Sequence, residues 1–358
     1  MYNFDGTVKN CIRSAGTVGN IQQQPITEIL HGPKNLATQQ QMLAHQPASH
    51  CWPCYDLEQN KKGFDIISDR VFYLRELKTV PMTVFQPGKH DLHTVDVRWT
   101  NLCNFACVYC GPEFSSRWAA ELEANITQPN QQQLDDFENY ILAHGPQLKH
   151  VYLAGGEPLL IRQNLRLLDS LSPDVNLRIN TNLSQVDTRI FERICTFQNV
   201  HWIVSVETMA DEFEYIRYGG KWQDFLQNLD TISALGHKIT FNMLHFVLNY
   251  DSIFGCVDFL QARGFHANSF VIGPLLQPLH LNIRHLPDHV LQSVKLELGT
   301  RIDLGPGYLL EDSYKNMLRY LHTPFEKNLA GSLAGLAQLD QRRGVDSTKI
   351  FSQLYQLV

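Results

Sequence analysis

From about residue 92 onward, short apolar runs alternate with stretches whose apolar positions recur as on one side of a helix. The strand-like runs are residues 93–99, 149–155, 176–182, 201–207, 237–247 and 268–274. Helical patterns lie between them, near 116–124, 130–143, 164–171, 188–197, 221–236 and 252–264. Strands that alternate with helices predict parallel βαβ units with right-handed crossovers. Six strands rather than eight predict an α/β fold with an open, partial (β/α)6 TIM-like barrel.

The segments on either side of this pattern differ from it. Residues 1 to about 60 are rich in Gln, Asn, Gly and Pro, which predicts a small irregular domain held by a metal rather than by a large core. The end of the chain is predicted to be mostly helical. We therefore expect an N-terminal domain with its linker over 1–75, the barrel over 90–285 and a helical extension over 286–358.

Charge and hydropathy exclude several classes of protein. The formal net charge of −6 gives no basic excess, so charge does not indicate a nucleic-acid partner. No run of 18 or more apolar residues is present, and the N-terminus MYNFDGTVKN lacks the basic and apolar regions of a secretory signal. We therefore expect a cytoplasmic protein without a membrane partner.

Three of the eight cysteines fall within NLCNFACVYC, with the spacing C-x3-C-x2-C; they are Cys103, Cys107 and Cys110. Thiolates on one short loop suit iron–sulfur clusters or zinc. A structural zinc site needs a fourth ligand nearby, which this loop does not supply. The remaining interpretation is a [4Fe–4S] cluster whose fourth iron is left for a substrate or cofactor; the alternative is three unrelated core cysteines.

This loop resembles that of the radical S-adenosylmethionine (radical SAM) enzymes, in which C-x3-C-x2-C follows the first barrel strand. The resemblance implies that S-adenosylmethionine occupies the open iron and that Tyr109, before the third cysteine, packs near the adenine. It also implies that GGEP after the second strand binds the methionyl amino group. The residues of that motif are Gly155, Gly156, Glu157 and Pro158. The alternative is that the two glycines merely form a turn.

Further polar residues lie at the ends of the third and fourth predicted strands, or soon after. Asn180, Asn182, Ser205 and Glu207 are candidate ligands of the cofactor ribose, or simply satisfy loop backbone. The family often has Asp where this chain has Glu207. Arg217, in EYIRYGG, is a candidate partner of the cofactor carboxylate or a member of a surface ion pair. Cys195 and Cys256 lie on amphipathic helical patterns and are predicted to be core residues.

The N-terminus is similar to that of radical SAM proteins with an N-terminal twitch domain, a shortened SPASM-type auxiliary-cluster domain. Gly6 to Cys11 gives G-x4-C, CWPCYDLE supplies the second part, and a Ser/Arg pair follows at Ser68 and Arg70. The resemblance implies a second iron–sulfur cluster on Cys11, Cys51 and Cys54. The alternatives are ordinary thiols, or a zinc site completed by a histidine such as His31, His45 or His50.

The resemblance implies an enzyme that takes an electron from a donor such as flavodoxin or ferredoxin and cleaves S-adenosylmethionine. The resulting 5′-deoxyadenosyl radical abstracts hydrogen from a substrate, which by analogy is a peptide or protein. One alternative is a radical SAM enzyme that acts on a small metabolite. Another is a non-catalytic zinc or iron–sulfur module that pairs Cys51 and Cys54 with Cys107 and Cys110, but it leaves out Cys103 and GGEP.

Overall fold

The N-terminal segment contains more regular structure than its composition suggests. The computed structural model describes residues 1–59, 68, 70–71 and 92–357. A short antiparallel ladder joins β1 (Thr7–Val8) to β2 (Gly19–Asn20), and three helices follow: α1 (Ile26–His31), α2 (Pro33–Leu43) and α3 (Trp52–Gln59). The prediction that residues 1 to about 60 are irregular is therefore wrong where these three helices form. Pro33 starts α2 at a position where a missing N–H is harmless, and the Gln-rich tract that follows favours helix.

Six parallel strands form the main sheet. They are β3 (Thr94–Val97), β4 (His150–Leu153), β5 (Asn176–Thr181), β6 (Asn199–Ser205), β7 (Lys238–His245) and β8 (Phe270–Pro274). They lie side by side in chain order, β3-β4-β5-β6-β7-β8. All six predicted strands are present, and their bounds agree with the prediction to within two residues. The α/β class and the partial barrel are thus confirmed.

Helices connect the strands and form the end of the chain. The connecting helices are α4 (Ser116–Glu121), α5 (Gln131–His144), α6 (Arg162–Ser170), α7 (Arg189–Ile194), α8 (Ala210–Ile216), α9 (Trp222–Ser233) and α10 (Ser252–Ala262). The C-terminal helices are α11 (Asp288–Asp303), α12 (Tyr308–Leu321), α13 (Leu329–Arg343), α14 (Ser347–Ile350) and α15 (Ser352–Tyr355), as predicted. Every helix in the described ranges is too short or too polar to cross a membrane.

Both outer strands of the sheet have partners for their edges. At β3, the N–H of Tyr2 donates to the Asp96 carbonyl at 2.8 Å, and the N–H of Arg98 donates to the Tyr2 carbonyl at 3.1 Å. At β8, the N–H of Ile272 donates to the Ser313 hydroxyl of α12 at 3.0 Å. An uncovered edge would leave backbone groups unpaired. The sheet therefore ends at six strands without closing into a barrel of eight.

The described chain forms two compact units. One comprises residues 1–102, 125–179 and 188–200, and the other comprises 103–124, 180–187 and 201–358. The first holds the N-terminal cysteines and GGEP, and the second holds the C-x3-C-x2-C loop and Arg217. The predicted boundaries near 75 and 90 fall at residues outside the described ranges, so the three-part division stays a prediction.

Candidate functional site

The three cysteines of NLCNFACVYC lie on the loop between β3 and α4. Cys107 is buried, whereas Cys103 and Cys110 are partly exposed. The Trp118 indole donates to the Cys107 carbonyl at 2.7 Å, and the Cys110 N–H donates to the same carbonyl at 2.9 Å. The Ser116 hydroxyl accepts from the Cys103 N–H at 3.1 Å. Ser116 and Trp118 belong to the first turn of α4, so this helix fixes the loop that carries the thiols.

The three thiols are close enough to influence each other's ionisation. The Cys110 thiol donates a hydrogen bond to Cys107; this bond and the nearby Arg217 guanidinium lower the pKa of Cys107 although its burial acts the other way. The same hydrogen bond raises the pKa of Cys110, and burial and the charges of Cys107 and Cys103 raise it further. The three thiols of this loop therefore lie near one another.

Sulfur donors of this kind are used by both zinc sites and iron–sulfur clusters. Among the described residues, no three His, Cys, Asp or Glu side chains converge as a mononuclear metal site requires. A zinc ion draws four ligands to about 2.0–2.3 Å from one centre. In an iron–sulfur cluster each thiolate binds its own iron, so the thiolates stand further apart. The cluster on Cys103, Cys107 and Cys110 therefore stays a prediction, as does the zinc alternative for the N-terminal cysteines.

Three predicted cofactor contacts form one network beside this loop. The Arg217 guanidinium donates to both carboxylate oxygens of Glu207, at 2.6 and 2.8 Å, and the Tyr109 hydroxyl donates to Oε1 at 3.0 Å. Arg217 is 2% exposed and Glu207 is 1% exposed. The alternative of a surface ion pair is therefore wrong. Any bond from Arg217 to a cofactor carboxylate has to compete with this pair.

The charges of the network stabilise each other. Burial by itself lowers the pKa of Arg217, but the negative charge of Glu207 opposes burial, and the net shift is upward. Burial also raises the pKa of Tyr109 well above its usual range. The Tyr109 ring packs edge-on against Phe246, with centroids 5.7 Å apart, and the Asn249 amide donates to the Glu207 carbonyl at 3.1 Å. Sequence reasoning missed Phe246 and Asn249, although both follow the end of β7, where polar and aromatic residues of a barrel rim are expected.

The candidate ribose ligands have different surroundings. Asn180 and Ser205 are partly exposed near the ends of β5 and β6. Asn182 is 8% exposed, and its Nδ2 lies 3.8 Å from the Cys103 sulfur and 3.1 Å from Oδ1 of Asn104. Asn104 was also missed, although it directly follows the first cysteine. The ribose role of the strand-end residues stays a prediction.

The two glycines of GGEP are required by the backbone itself. Gly155 has φ +76° and Gly156 has φ +51°, a region that favours glycine. A Cβ on Gly156 would lie 2.2 Å from the Leu102 carbonyl oxygen. The Glu157 N–H donates to this same oxygen at 2.7 Å. A turn is therefore sufficient to explain both glycines. The bond from the Glu157 N–H fixes this turn to Leu102, the residue before Cys103.

Glu157 and Pro158 begin a short 3-10 helix, Pro158–Leu160. The Glu157 side chain is fully buried, and its Oε1 accepts from the Leu159 N–H at 3.2 Å. A buried carboxylate is costly unless it is paired with hydrogen-bond donors or cations. The role that the resemblance implies for this carboxylate, accepting from the cationic amino group of the cofactor, stays a prediction.

The N-terminal cysteines also lie near one another. Burial raises the pKa of Cys51, and the charges of Cys11 and Cys54 raise it further. Cys54 is buried, and the other two are partly exposed. The second cluster that the resemblance implies on these three cysteines stays a prediction.

The remaining parts of the N-terminal motif meet at Glu58, in the helix of CWPCYDLE. Its carboxylate accepts from the Ser68 hydroxyl and, at 3.1 Å, from Nε of Arg70. The Arg70 guanidinium also lies 5.0 Å from the centre of the Tyr55 ring. These bonds fix α3, which carries Cys54.

The two other cysteines are packed in helical regions. Cys256 is fully buried on α10, as predicted. Cys195 is partly exposed at the C-terminus of α7, so its assignment to the core is only half right.

Comparison with known proteins gives one family match and several distant relatives. The sequence model of the radical SAM superfamily matches residues 97–260. The chain is 23% identical over 230 residues to GTP 3′,8-cyclase of Campylobacter lari, covering 60% of this chain and 68% of that protein. It is 28% identical over 170 residues to GTP 3′,8-cyclase of Mesorhizobium japonicum, covering 45% of this chain and 48% of that protein. The chain thus spans between about half and two thirds of the length of these relatives.

Solved structures show weaker likeness. Streptococcus suis SuiB bound to the precursor peptide SuiA has a TM-score of 0.44 and 17% identity, covering 63% of this chain and 51% of that chain. The protein anSMEcpe with bound AdoMet has a TM-score of 0.41 and 13% identity, covering 53% of each chain.

Proposed function

The chain belongs to the radical SAM superfamily, whose enzymes use a [4Fe–4S] cluster and S-adenosylmethionine, and we propose that Cys103, Cys107 and Cys110 bind that cluster. The observation that carries the proposal is that the three cysteines share one loop, whose backbone is hydrogen-bonded to Ser116 and Trp118 of α4. This donor set leaves one iron for S-adenosylmethionine.

The bound cofactors supply reductive cleavage of S-adenosylmethionine to methionine and a 5′-deoxyadenosyl radical, which abstracts hydrogen from a substrate. The residues of the chain bind and orient. The Glu207–Arg217 pair holds the Tyr109 hydroxyl, so the ring stays in place for the adenine. The buried Glu157 carboxylate is proposed to accept from the methionyl amino group. Asn180 and Ser205, partly exposed, are proposed to face the ribose.

A second cluster is proposed on Cys11, Cys51 and Cys54, within a twitch-like domain over residues 1–75. The resemblance of G-x4-C and CWPCYDLE to twitch-domain proteins supports it, and so do the bonds from Ser68 and Arg70 to Glu58, which fix the helix that carries Cys54. The barrel over 90–285 and the C-terminal extension over 286–358 complete the proposed division.

The proposed substrate is a peptide or protein, on the basis of the similarity to twitch-domain proteins. The proposed electron donor is a flavodoxin or ferredoxin, and the proposed location is the cytoplasm. A small-molecule substrate is the second candidate, because the curated relatives are named GTP 3′,8-cyclases. Incubation with GTP and S-adenosylmethionine separates the two: consumption of GTP would support the second candidate. A mass change in a short peptide encoded beside the gene would support the first.

The triplet is tested by changing Cys103, Cys107 and Cys110 to Ala together. The reconstituted, reduced wild-type protein is expected to form 5′-deoxyadenosine, and the triple variant is expected to form none. Cys195→Ala is the matched control, since this thiol lies outside the site, and it should retain activity. Unchanged turnover in the triple variant would refute the proposal.

The second cluster is tested by iron and sulfide analysis of the wild type and of a Cys51→Ala, Cys54→Ala variant. About eight irons per chain, falling to about four in the variant, would support two [4Fe–4S] clusters. About four irons in both proteins would mean that the N-terminal cysteines hold no cluster.

The role of Glu157 is tested by Glu157→Gln. The variant should bind S-adenosylmethionine more weakly and keep its iron. Glu138→Gln is a matched control, because Glu138 is also a buried carboxylate but lies on α5, outside GGEP. Loss of iron with unaltered cofactor affinity would point to a structural role instead.

A further inference from the structure

The side chain of Asn182 is aimed at the sulfur of Cys103. Its Nδ2 lies 3.8 Å from that sulfur and 3.1 Å from Oδ1 of Asn104. A carboxamide nitrogen carries two hydrogens, so each has one of these acceptors. The Asn182 amide is therefore already committed to the cysteine loop through both hydrogens.

The orientation of this amide is fixed by its oxygen. Oδ1 of Asn182 accepts from the Ser184 N–H at 2.9 Å. The flipped amide would set two N–H groups against each other and turn a carbonyl oxygen towards the sulfur. The hydrogen-bond pattern therefore requires the nitrogen to face Cys103.

The turn that holds Asn182 is strained and braced. Leu183, the next residue, has φ +57°, a left-handed conformation that is unfavourable for a residue with a Cβ. Its N–H donates to the Thr181 hydroxyl at 2.8 Å, and its carbonyl accepts from the Asn228 amide at 2.9 Å. Strain of this kind persists where the surrounding structure holds it, often at functional sites.

We propose that Asn182 is a positioning residue that raises the reduction potential of the cluster through an N–H···S bond to Cys103. This inference rests on the proposed function, because it takes Cys103 as a cluster ligand. A hydrogen bond to a ligand sulfur stabilises negative charge there, and the reduced cluster carries one more electron than the oxidised one. The bond therefore favours the reduced state. It also replaces the ribose role that the sequence suggested for Asn182.

The test is the midpoint potential of this cluster in Asn182→Leu, which keeps the volume and removes the donor. The reconstituted full chain is titrated anaerobically by EPR, and the cluster is identified by the change of its signal on adding S-adenosylmethionine. The bond is present in both oxidation states, so only its strengthening on reduction shifts the potential; the step from an ordinary to a charge-assisted hydrogen bond corresponds to about a tenfold change in an equilibrium constant. The ratio of reduced to oxidised cluster at fixed potential should fall about tenfold, which is a shift of about 59 mV to more negative values.

Two further variants make the result decisive. Asn182→Asp keeps the oxygen that accepts from Ser184 and replaces the donor by a negative oxygen, so its midpoint should fall at least as far. Asn282→Ala is the control: Asn282 is fully buried and donates to the Leu275 carbonyl, away from the cysteine loop, and the midpoint should not move.

The outcomes separate this inference from the proposed function. Absence of a cluster on the triplet in the wild-type protein would overturn both. A full complement of iron with an unchanged midpoint potential in Asn182→Leu would overturn only the tuning role of Asn182. If this variant also binds S-adenosylmethionine more weakly at an unchanged midpoint potential, Asn182 is a ribose ligand instead. Loss of this cluster in both Asn182 variants would show a structural role and would also reject the tuning.

Discussion

Removing the Arg217 charge should destabilise the fold because it leaves a buried carboxylate without its cation. Arg217→Met keeps an unbranched side chain and deletes both bonds to Glu207, at 2.6 and 2.8 Å. Glu207 is 1% exposed, so water cannot replace the guanidinium. Breaking a buried pair by removing one partner costs about 3–5 kcal/mol. The Tyr109 hydroxyl still donates to Glu207 and protonation of the carboxyl limits the cost, so we expect about 3 kcal/mol.

The measurement is urea unfolding of the chain at pH 7, followed by circular dichroism under anaerobic conditions. Lys221→Met is the matched control, because its ion pair with Glu214 is also 2.6 Å long but Lys221 is 69% exposed. An exposed pair contributes about 0–1 kcal/mol, so the control should lose little. The double variant Glu207→Gln, Arg217→Met removes both charges and should recover much of the loss.

Two results would refute this reasoning. One is a loss in Arg217→Met that is no greater than in Lys221→Met. The other is a double variant that is no more stable than the single one, since that would show that the unpaired charge is not the cause. Arg217→Met should also weaken S-adenosylmethionine binding, because Glu207, which accepts from the Tyr109 hydroxyl, loses the guanidinium that holds it in place.

Two further predictions concern the backbone and pH. Gly156 and Gly236 both have positive φ, but only at Gly156 would an added Cβ clash, at 2.2 Å from the Leu102 carbonyl oxygen. Gly156→Ala should therefore lower the free energy of unfolding more than Gly236→Ala does. Equal losses of about 1–2 kcal/mol each would show that the clash does not contribute. Burial lowers the pKa of His245 from 6.5 to about 4, so folding excludes a proton that the unfolded chain binds. Stability from this residue is complete above pH 6.5 and falls by about 1.4 kcal/mol per unit as pH drops towards 4. His245→Gln, which can still donate to the Tyr250 carbonyl, should lose less stability than the wild type between pH 7 and pH 5 in urea unfolding, and parallel losses would show that His245 is not responsible.

The sequence by itself determined the strands, their order and the candidate cluster loop. These features depend on local spacing: strands and helices are marked by apolar periods, and ligands on one loop by the distance between cysteines. Helices α1 to α3 escaped this reasoning, because the Gln-rich composition hid short helices without a clear apolar side.

Only the tertiary structure decided which distant groups pair. Arg217 takes Glu207 as its partner, and Asn182, 79 residues along the chain from Cys103, donates to its sulfur. Pairing of this kind depends on the twist of the sheet and on where each loop turns back, as at Leu183. A sequence states that a polar residue ends a strand, but burial and the positions of neighbouring donors determine whether its side chain binds a cofactor, a charge or a ligand sulfur.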